Sequence, residues 1–283
     1  MATLEELLRY DGKHVVVTGC ASGIGAEVAR QLGELGARVT GLDRHVLTES
    51  GNAPGEFIEI DLADPDSVEA AAGAVDGPVD ALFNVAGVSS GIGDPLLVVR
   101  INFLGMRQFT EALVERMIPG ATIGNVSSLA ASSFRENAGT TAGLIDTTSV
   151  EAGLRWCAEN PDALVDGGYR LSKEAIILYG MHRAADLGAR GIRINCTAPG
   201  VTETPILDQL RSAYGQRYLD SFTAPLGRFS TPEEQAAALV FLGSRAAGYI
   251  TGQVLWTDGG ILAERLWTQI DTAMRNDRVA QGS

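Results

Sequence analysis

The 283-residue sequence contains little cysteine, histidine or positive charge. Its three cysteines form no CxxC pair and no cluster with histidine, so we expect neither a disulfide framework nor a structural zinc site. The three histidines are scattered and show no metal-ligand spacing, so we predict no bound metal. An odd cysteine count without pairing motifs fits a reducing compartment.

Lysine and arginine together number 22 and aspartate and glutamate 35, which gives a formal net charge of −13. A surface this negative repels polyphosphates and anionic lipids. Long apolar runs are missing too, and residues 1–13 show no basic-then-apolar signal pattern. We therefore predict a cytoplasmic protein that binds neither nucleic acid nor membranes.

Short runs rich in β-branched residues alternate with helical patterns along the chain. This alternation predicts an α/β fold of the Rossmann type, a doubly wound parallel sheet of about seven strands with helices on both faces. We interpret 1–283 as one domain with a C-terminal extension at about 261–283. The predicted strands are 14–17, 38–42, 56–60, 81–84, 122–126, 192–195 and 254–257. The predicted helices are 26–32, 67–75, 97–117, 173–187 and 232–243.

An insertion at about 130–167 interrupts the alternation, because no strand pattern occurs there and a strand-to-helix connection normally takes about 2–6 residues. Thr148 and Glu151 form a T-x-x-E capping box, which predicts one short helix near 149–159. Val150, Leu154 and Cys157 share one apolar face of that helix.

The sequence TGCASGIG at 18–25 joins the first predicted strand to the first helix. Gly19 permits a tight turn, Gly23 a close approach to a pyrophosphate, and Gly25 the packing of helix on strand. The helix N-terminus then offers free N–H groups to phosphates. A tight turn without a ligand is the alternative interpretation of the glycines alone.

Asp43 ends the second predicted strand, where a carboxylate binds the adenosine ribose hydroxyls and repels a 2′-phosphate. This position predicts NAD as the cofactor. Arg44 follows directly and could contact a phosphate, but Asp43 occupies the strand end itself. A capping or surface acid is the alternative interpretation of Asp43.

The TGxxxGIG form of the glycine turn resembles the short-chain dehydrogenase/reductase family, and further motifs of that family follow in order along the chain. They are Asp61-Leu62, Asn84-Val85-Ala86-Gly87, Asn102, Asn125-Val126-Ser127-Ser128, Tyr169 with Lys173, Ile192 to Gly200 with Thr204, and Asp258-Gly259-Gly260. Val85 departs from the family's second asparagine.

The resemblance implies a nicotinamide cofactor and a defined set of site residues. The implied cofactor-binding residues are Gly19, Ala21, Ser22, Gly23, Ile24, Asp43, Arg44, Asp61, Leu62, Asn84, Ala86, Gly87, Tyr169, Lys173, Pro199, Gly200, Val201, Thr202 and Thr204. The implied catalytic residues are Asn102, Ser128, Tyr169 and Lys173.

The residue types suit the transfer of a hydride from a carbinol, because a proton must leave the hydroxyl at the same time. Tyrosine has a pKa of about 10, too high for a good base at neutral pH. Lys173 lies four residues later, on the same helical face, and its charge favours the phenolate of Tyr169. Ser128 can donate a hydrogen bond to the substrate oxygen. Asn102, by the resemblance, anchors a water that links Lys173 to solvent.

Taken singly, these residues have ordinary structural interpretations: Tyr169 as a core aromatic, Lys173 as a solvated helix residue, Ser128 as a cap and Asn102 as a turn residue. Their joint occurrence in the family's order favours catalysis. A catalytically idle NAD-binding regulator is the alternative from another class.

Tyr169 lies 41 positions after Ser128, which resembles the long-insertion branch of 3α-hydroxysteroid dehydrogenase/carbonyl reductase and of coniferyl-alcohol dehydrogenase. The resemblance implies an apolar ring-bearing alcohol or ketone, a hydroxysteroid or an aromatic alcohol. We expect Leu129, the insertion and the stretch 206–222 to close the pocket. Predicted substrate-binding residues are Ser128, Leu129, Tyr169, Ile206 and Leu207. An acyl-carrier-protein reductase is a weaker alternative, since that partner is acidic as well.

The C-terminal extension carries an apolar stripe of Leu266, Trp267, Ile270 and Met274. This stripe and the inserted helix need a surface to cover them, so we predict a homo-oligomer, a two-fold dimer with a tetramer as the alternative. Both segments could instead form a lid over the substrate pocket.

Overall fold

Seven parallel strands form one sheet in the computed structural model, which describes residues 2–45, 55–220 and 222–281. The strand order is β3-β2-β1-β4-β5-β6-β7. The strands are β1 His14–Thr18, β2 Arg38–Asp43, β3 Glu56–Glu59, β4 Val79–Asn84, β5 Met117–Val126, β6 Arg193–Pro199 and β7 Val254–Thr257. The predicted Rossmann-type sheet is confirmed.

Helices cover both faces of the sheet in the described part of the chain. They are α1 Leu4–Leu8, α2 Gly23–Glu34, α3 Pro65–Ala74, α4 Pro95–Val99, α5 Met106–Val114, α6 Ala138–Ile145, α7 Val150–Glu159, α8 Tyr169–Ala189, α9 Pro205–Tyr214, α10 Gln216–Asp220, α11 Pro232–Gly243 and α12 Ile261–Gln281. None of them is both long enough and apolar enough to cross a membrane.

Successive residues of β1 divide the core into two layers, because side chains of a strand alternate between its faces. Val15 and Val17 pack with α2 and α11 on one face. Val16 packs on the other face with α3, α5 and α8. The chain moves outward from β1 to β3 and then returns to β4, so the carboxyl ends of β1 and β4 flank the point where strand order reverses.

The helix predicted at 97–117 is present as one continuous helical run, but its type changes along the run. Helix α4 passes directly into a wide π-helical segment at Arg100–Gly105 and then into α5, which ends at Val114. Strand β5 then begins at Met117, five residues before the predicted start. The sequence did not predict this start, because Pro119 and Gly120 are residue types typical of turns. In the structure both lie in β5, where the register between β4 and β5 shifts.

Two of the sequence interpretations of helix starts also need correction. The cap of α7 is Ser149 rather than Thr148, because the Ser149 hydroxyl accepts from the Ala152 N–H at 3.1 Å. Helix α8 begins at Tyr169, four residues before the predicted start, directly after Gly168 with its φ of 72°. Tyr169 and Lys173 therefore share one continuous helix.

The insertion contains two helices, α6 and α7, where one was predicted, and both pack on their own domain. Leu144 of α6 and the predicted face residues Val150 and Cys157 of α7 are buried in the main core. Gly153 lies so close to Leu104 that any Cβ there would overlap it. The apolar faces of the insertion are therefore covered without a second chain.

Candidate active site

A cleft of about 620 Å³ opens at the carboxyl ends of the central strands. Its walls come from the segments that follow β1, β2, β3, β4, β5 and β6, together with α8, α9 and the first turns of α12. The cleft runs from Asp43 and Asp61 at one end to Leu129 and Phe222 at the other. This is the crevice in which doubly wound sheets bind their ligands.

The glycine loop after β1 packs closely against neighbouring backbone at one end of the cleft. Gly19 has a φ of +75°, and a Cβ there would lie 2.7 Å from the backbone of Ala86. A Cβ on Gly25 would overlap the Gly19 carbonyl oxygen. Ser22, the N-cap of α2, makes no side-chain cap hydrogen bond, so the helix N-terminus is open towards the cleft. These features fit a dinucleotide pyrophosphate.

Asp43 lies beside this loop and fixes it. Its Oδ2 accepts from the Ala21 N–H at 3.0 Å, and its Oδ1 accepts from the His45 N–H at 3.0 Å. Arg44 also lines the cleft, and its Nε hydrogen-bonds to the His45 ring at 3.1 Å. After the neighbouring strand β3, Asp61 accepts from the Ala63 N–H at 2.8 Å. Carboxylates thus line the end of the cleft where a ribose fits.

Tyr169, Lys173 and Ser128 meet at the middle of the cleft. The ammonium Nζ of Lys173 lies 5.7 Å from the centre of the Tyr169 ring and donates to the Val126 carbonyl at 3.0 Å. Burial lowers the pKa of Lys173 to about 8, although the nearby Cys196 opposes this shift. Burial raises the pKa of the Tyr169 phenol, which the Ser128 hydroxyl partly offsets.

The two serines that directly follow β5 make different hydrogen bonds through their hydroxyls. Ser127 is buried and donates to the Lys173 carbonyl at 2.8 Å, which ties β5 to α8. Ser128 lines the cleft. Its hydroxyl accepts the backbone N–H of Ala130 at 3.2 Å and also hydrogen-bonds to the Tyr169 phenol. The hydroxyls of Ser128 and Tyr169 therefore lie next to each other in the cleft.

Asn102 lies inside the π-helical segment, behind the cleft wall. Its Oδ1 accepts from the Val88 N–H at 2.8 Å, and its Nδ2 donates to the Val88 carbonyl at 3.0 Å and to Ser172 Oγ at 3.2 Å. Gly87 lies between this amide and Lys173. A Cβ built on Gly87 would be 3.1 Å from Asn102 Oδ1 and 3.5 Å from Lys173 Nζ. The amide holds the end of β4 in place.

The structure brings most of the predicted site residues to the cleft, but three of them do not line it: Ala21, Asn84 and Asn102. Asn84 donates inside the protein to Thr110 Oγ1 at 2.9 Å and to Asn125 Oδ1 at 2.8 Å. The other predicted cofactor-binding and substrate-binding residues are all in its walls.

The wall opposite the glycine loop includes residues that sequence reasoning missed. Ser90 and Gln209 belong to two segments that contact each other: Ser89 Oγ donates to Gln209 Oε1 at 3.0 Å, and Tyr214 donates to Ser90 Oγ at 3.1 Å. Arg265, from α12, also lines the cleft. No local pattern marks these residues, because they meet only through the fold. Of the insertion, only Ala130 and Ser132 line the cleft, so the expectation that the insertion closes the pocket is wrong for α6 and α7.

A family model described as Enoyl-(Acyl carrier protein) reductase matches residues 19–262. The chain belongs to the short-chain dehydrogenase/reductase family. Its members are oxidoreductases that bind a nicotinamide cofactor, so the family resemblance of the sequence motifs is confirmed.

Three similar proteins align with about 90% of the chain. Coniferyl-alcohol dehydrogenase from Pseudomonas sp. (strain HR199 / DSM 7063) is 34% identical over 90% of this chain and 98% of its own length. The 3-alpha-hydroxysteroid dehydrogenase from Pseudomonas sp. B-0831, solved with NADH, is 31% identical, with a TM-score of 0.78 over 89% of this chain and 98% of its own. Pseudomonas aeruginosa RhlG, solved with NADP, is 25% identical, with a TM-score of 0.68 over 90% and 98%.

Proposed function

We propose that the chain is an NAD-dependent dehydrogenase or carbonyl reductase that acts on a secondary or primary alcohol, or the matching carbonyl, of an apolar ring compound such as a hydroxysteroid. The observation that carries the proposal is the meeting of Tyr169, Lys173 and Ser128 in one cleft, next to a glycine loop that fits a dinucleotide. A bound nicotinamide supplies or accepts the hydride and is positively charged when oxidised.

In this proposal Tyr169 takes the hydroxyl proton of the alcohol. Burial alone raises its pKa, which opposes ionisation. The positive charge of Lys173, 5.7 Å from the phenol ring, favours the phenolate. A bound oxidised nicotinamide would add a second positive charge that favours the phenolate. Ser128, whose hydroxyl lies next to the Tyr169 phenol, orients the substrate oxygen and stabilises the negative charge that develops on it.

For Asn102 we propose a positioning role. Its side-chain amide hydrogen-bonds to Val88 and Ser172, so it keeps Gly87 and Val88 in place beside Lys173.

We propose NAD over NADP on account of Asp43. Its carboxylate lies at the strand end beside the glycine loop, where a 2′-phosphate would meet a negative charge. Arg44 lines the same end, and relatives have been solved with either cofactor, so direct titration of both cofactors is the appropriate test.

An aromatic alcohol of the coniferyl type is the second candidate substrate, favoured by the relative named for that alcohol. The apolar wall of Leu207, Leu210, Leu219 and Phe222 suits either ring compound. An acyl-carrier-protein substrate fits less well, because a net charge of −13 repels an acidic carrier.

We also propose that residues 1–283 act as one unit in a reducing, cytoplasmic compartment and assemble as a homo-oligomer, a dimer in the simplest case. All three cysteines are free and buried. Because the insertion covers its own apolar faces, the exposed stripe of α12 becomes the candidate contact: Leu266, Trp267, Ile270 and Met274 are 48, 62, 50 and 43% exposed. Light scattering on the full chain and on a chain ending at Ala263 tests this assignment.

The direct test of the proposed activity is a screen of 3α-hydroxysteroids and coniferyl alcohol with NAD and NADP, following the absorbance of the reduced cofactor. We expect turnover of at least one ring alcohol with NAD. Tight cofactor binding without turnover of any alcohol or carbonyl in the screen would favour the idle regulator instead.

A further inference from the structure

Arg265 lies at the substrate end of the cleft. It follows Ile261 by four residues on α12, which places it one turn, or about 6 Å, further along the same face. Ile261 itself packs against Leu129 and Ala224. Leu129 follows Ser128 directly, so α12 begins beside the serine proposed to hold the substrate oxygen, and Arg265 lies beyond it.

The charges that line the cleft are unevenly distributed. Asp43, Arg44 and Asp61 lie at the ends of β2 and β3, where the adenosine half of a dinucleotide fits. Lys173 is buried behind Tyr169. Among the described lining residues this leaves Arg265 as the one formally charged side chain at the substrate end, where the neighbouring wall is built mainly from apolar side chains.

The guanidinium of Arg265 also has no partner among the described residues. It makes no hydrogen bond or ion pair with any described residue. Arg275 on the same helix, by contrast, pairs with Asp271 at 2.8 Å, and Arg211 and Arg228 near the cleft each pair with a carboxylate. Several other described arginines also lack a carboxylate partner, but among them only Arg44, at the adenosine end, and Arg265 line the cleft.

We propose that Arg265 binds a carboxylate at the end of the substrate remote from the reacting carbinol, so that the substrate is a ring-bearing hydroxy acid. This inference rests on the proposed function and adds a substrate class to it. A guanidinium pairs with a carboxylate through two parallel hydrogen bonds, which gives both affinity and orientation. The ring system would lie along the apolar wall between Ser128 and Arg265.

The test compares matched acids and esters. A hydroxycholanoate and 4-(1-hydroxyethyl)benzoate are assayed with NAD against their methyl esters, using the native protein, Arg265→Gln, Arg265→Lys and Arg275→Gln. The Arg275 variant removes the same charge from the same helix outside the cleft. We expect KM to be about tenfold lower for at least one acid than for its ester in the native protein and in Arg275→Gln. Arg265→Gln should abolish this preference, and Arg265→Lys should restore part of it.

Calorimetry of the same acids and esters with the NADH-loaded protein gives a readout that needs no turnover. Turnover of the esters without any preference for the acids, or a preference that survives Arg265→Gln, would overturn this inference and leave the proposed function intact. Absence of turnover with a binding preference that depends on Arg265 would reject the proposed function alone. Equal binding of acid and ester would overturn the inference whatever the turnover.

Discussion

The two halves of the cleft are held in place by different kinds of contact. In the cofactor half, around the glycine loop, each of these contacts involves at least one backbone group: the Gly19 N–H donates to the Leu42 carbonyl at 2.7 Å, and the buried Thr18 Oγ1 accepts from the Val85 and Ala86 N–H groups at 3.1 and 3.3 Å. The substrate half is joined through side chains such as Tyr214 and Ser90, and Tyr214 is 47% exposed. Backbone contacts leave little freedom for substitution, whereas exposed side chains can change with the substrate.

The largest expected effect is that of Tyr169→Phe, at the boundary between the halves. Loss of the hydroxyl should lower kcat roughly a thousandfold, because proton transfer by a positioned side chain contributes about 10²–10⁴. NADH affinity, measured by fluorescence titration, should stay within about twofold. Tyr179→Phe is the matched control, since it removes a hydroxyl from the same helix that bonds to Glu111 at 2.7 Å, outside the cleft. A variant Tyr169→Phe with near-native kcat would remove the tyrosine from the mechanism.

Gly19→Ala tests the rigidity of the cofactor half. A φ of +75° strains any side chain, and the new Cβ would lie 2.7 Å from the Ala86 backbone, so we expect a loss of about 1–3 kcal/mol in the free energy of unfolding and at least tenfold weaker NADH binding. Gly33→Ala, within α2 and with no atom within 4 Å of the new Cβ, should be neutral or stabilising by up to about 1 kcal/mol. Similar results for both variants in denaturant melts would show that the loop is not constrained as described.

Asp43→Asn sharpens the cofactor prediction. The amide keeps an oxygen for the Ala21 or His45 N–H but removes the negative charge. We expect the ratio of NADPH to NADH dissociation constants to fall roughly tenfold, mainly through tighter NADPH binding. Isothermal titration with both cofactors measures this ratio. A native protein that already prefers NADPH would refute the assignment.

The smallest expected effect is the contribution of Lys173 to the pH dependence of the free energy of unfolding. Its pKa is about 8 in the folded protein, against about 10.4 in an unfolded chain. Between these values the unfolded state binds more protons, so this residue makes the folded state more stable as pH rises. The free energy of unfolding of the native protein relative to Lys173→Met should therefore rise by about 1 kcal/mol per pH unit across this window. A difference that is constant with pH would show that Lys173 is not desolvated as the structure indicates.

The contrast between the halves also explains what could be predicted from the sequence. The strand ends, the glycine loop and the Tyr169–Lys173 spacing are local patterns, so the sheet and the cofactor half followed from them. The amide of Asn84 was expected at the cofactor, but it is used inside the protein for Thr110 and Asn125. The π-helical segment at Arg100–Gly105 was not predicted, because it runs directly from α4 into α5 and a helical pattern in the sequence does not distinguish the two types of helix.

The substrate half could be predicted only in outline. Leu129, Ile206 and Leu207 follow family motifs closely enough to be placed in the cleft. Ser90 and Arg265 reach it from parts of the chain that no motif connects to the site. Leu266 and Trp267 were recognised as apolar, but the sequence did not show whether the rest of the chain would cover them; the structure leaves both exposed.

The central claim is that Tyr169, assisted by Lys173, takes the proton while NAD takes the hydride. The most direct measurement is the rate of single-turnover oxidation of a ring alcohol by the NAD-loaded native protein, followed from neutral to alkaline pH. The account predicts a rate that rises with pH to a plateau as the Tyr169 phenol ionises, and no comparable phase in Tyr169→Phe. A rate for the chemical step that does not vary with pH, or that is the same in both proteins, would contradict it.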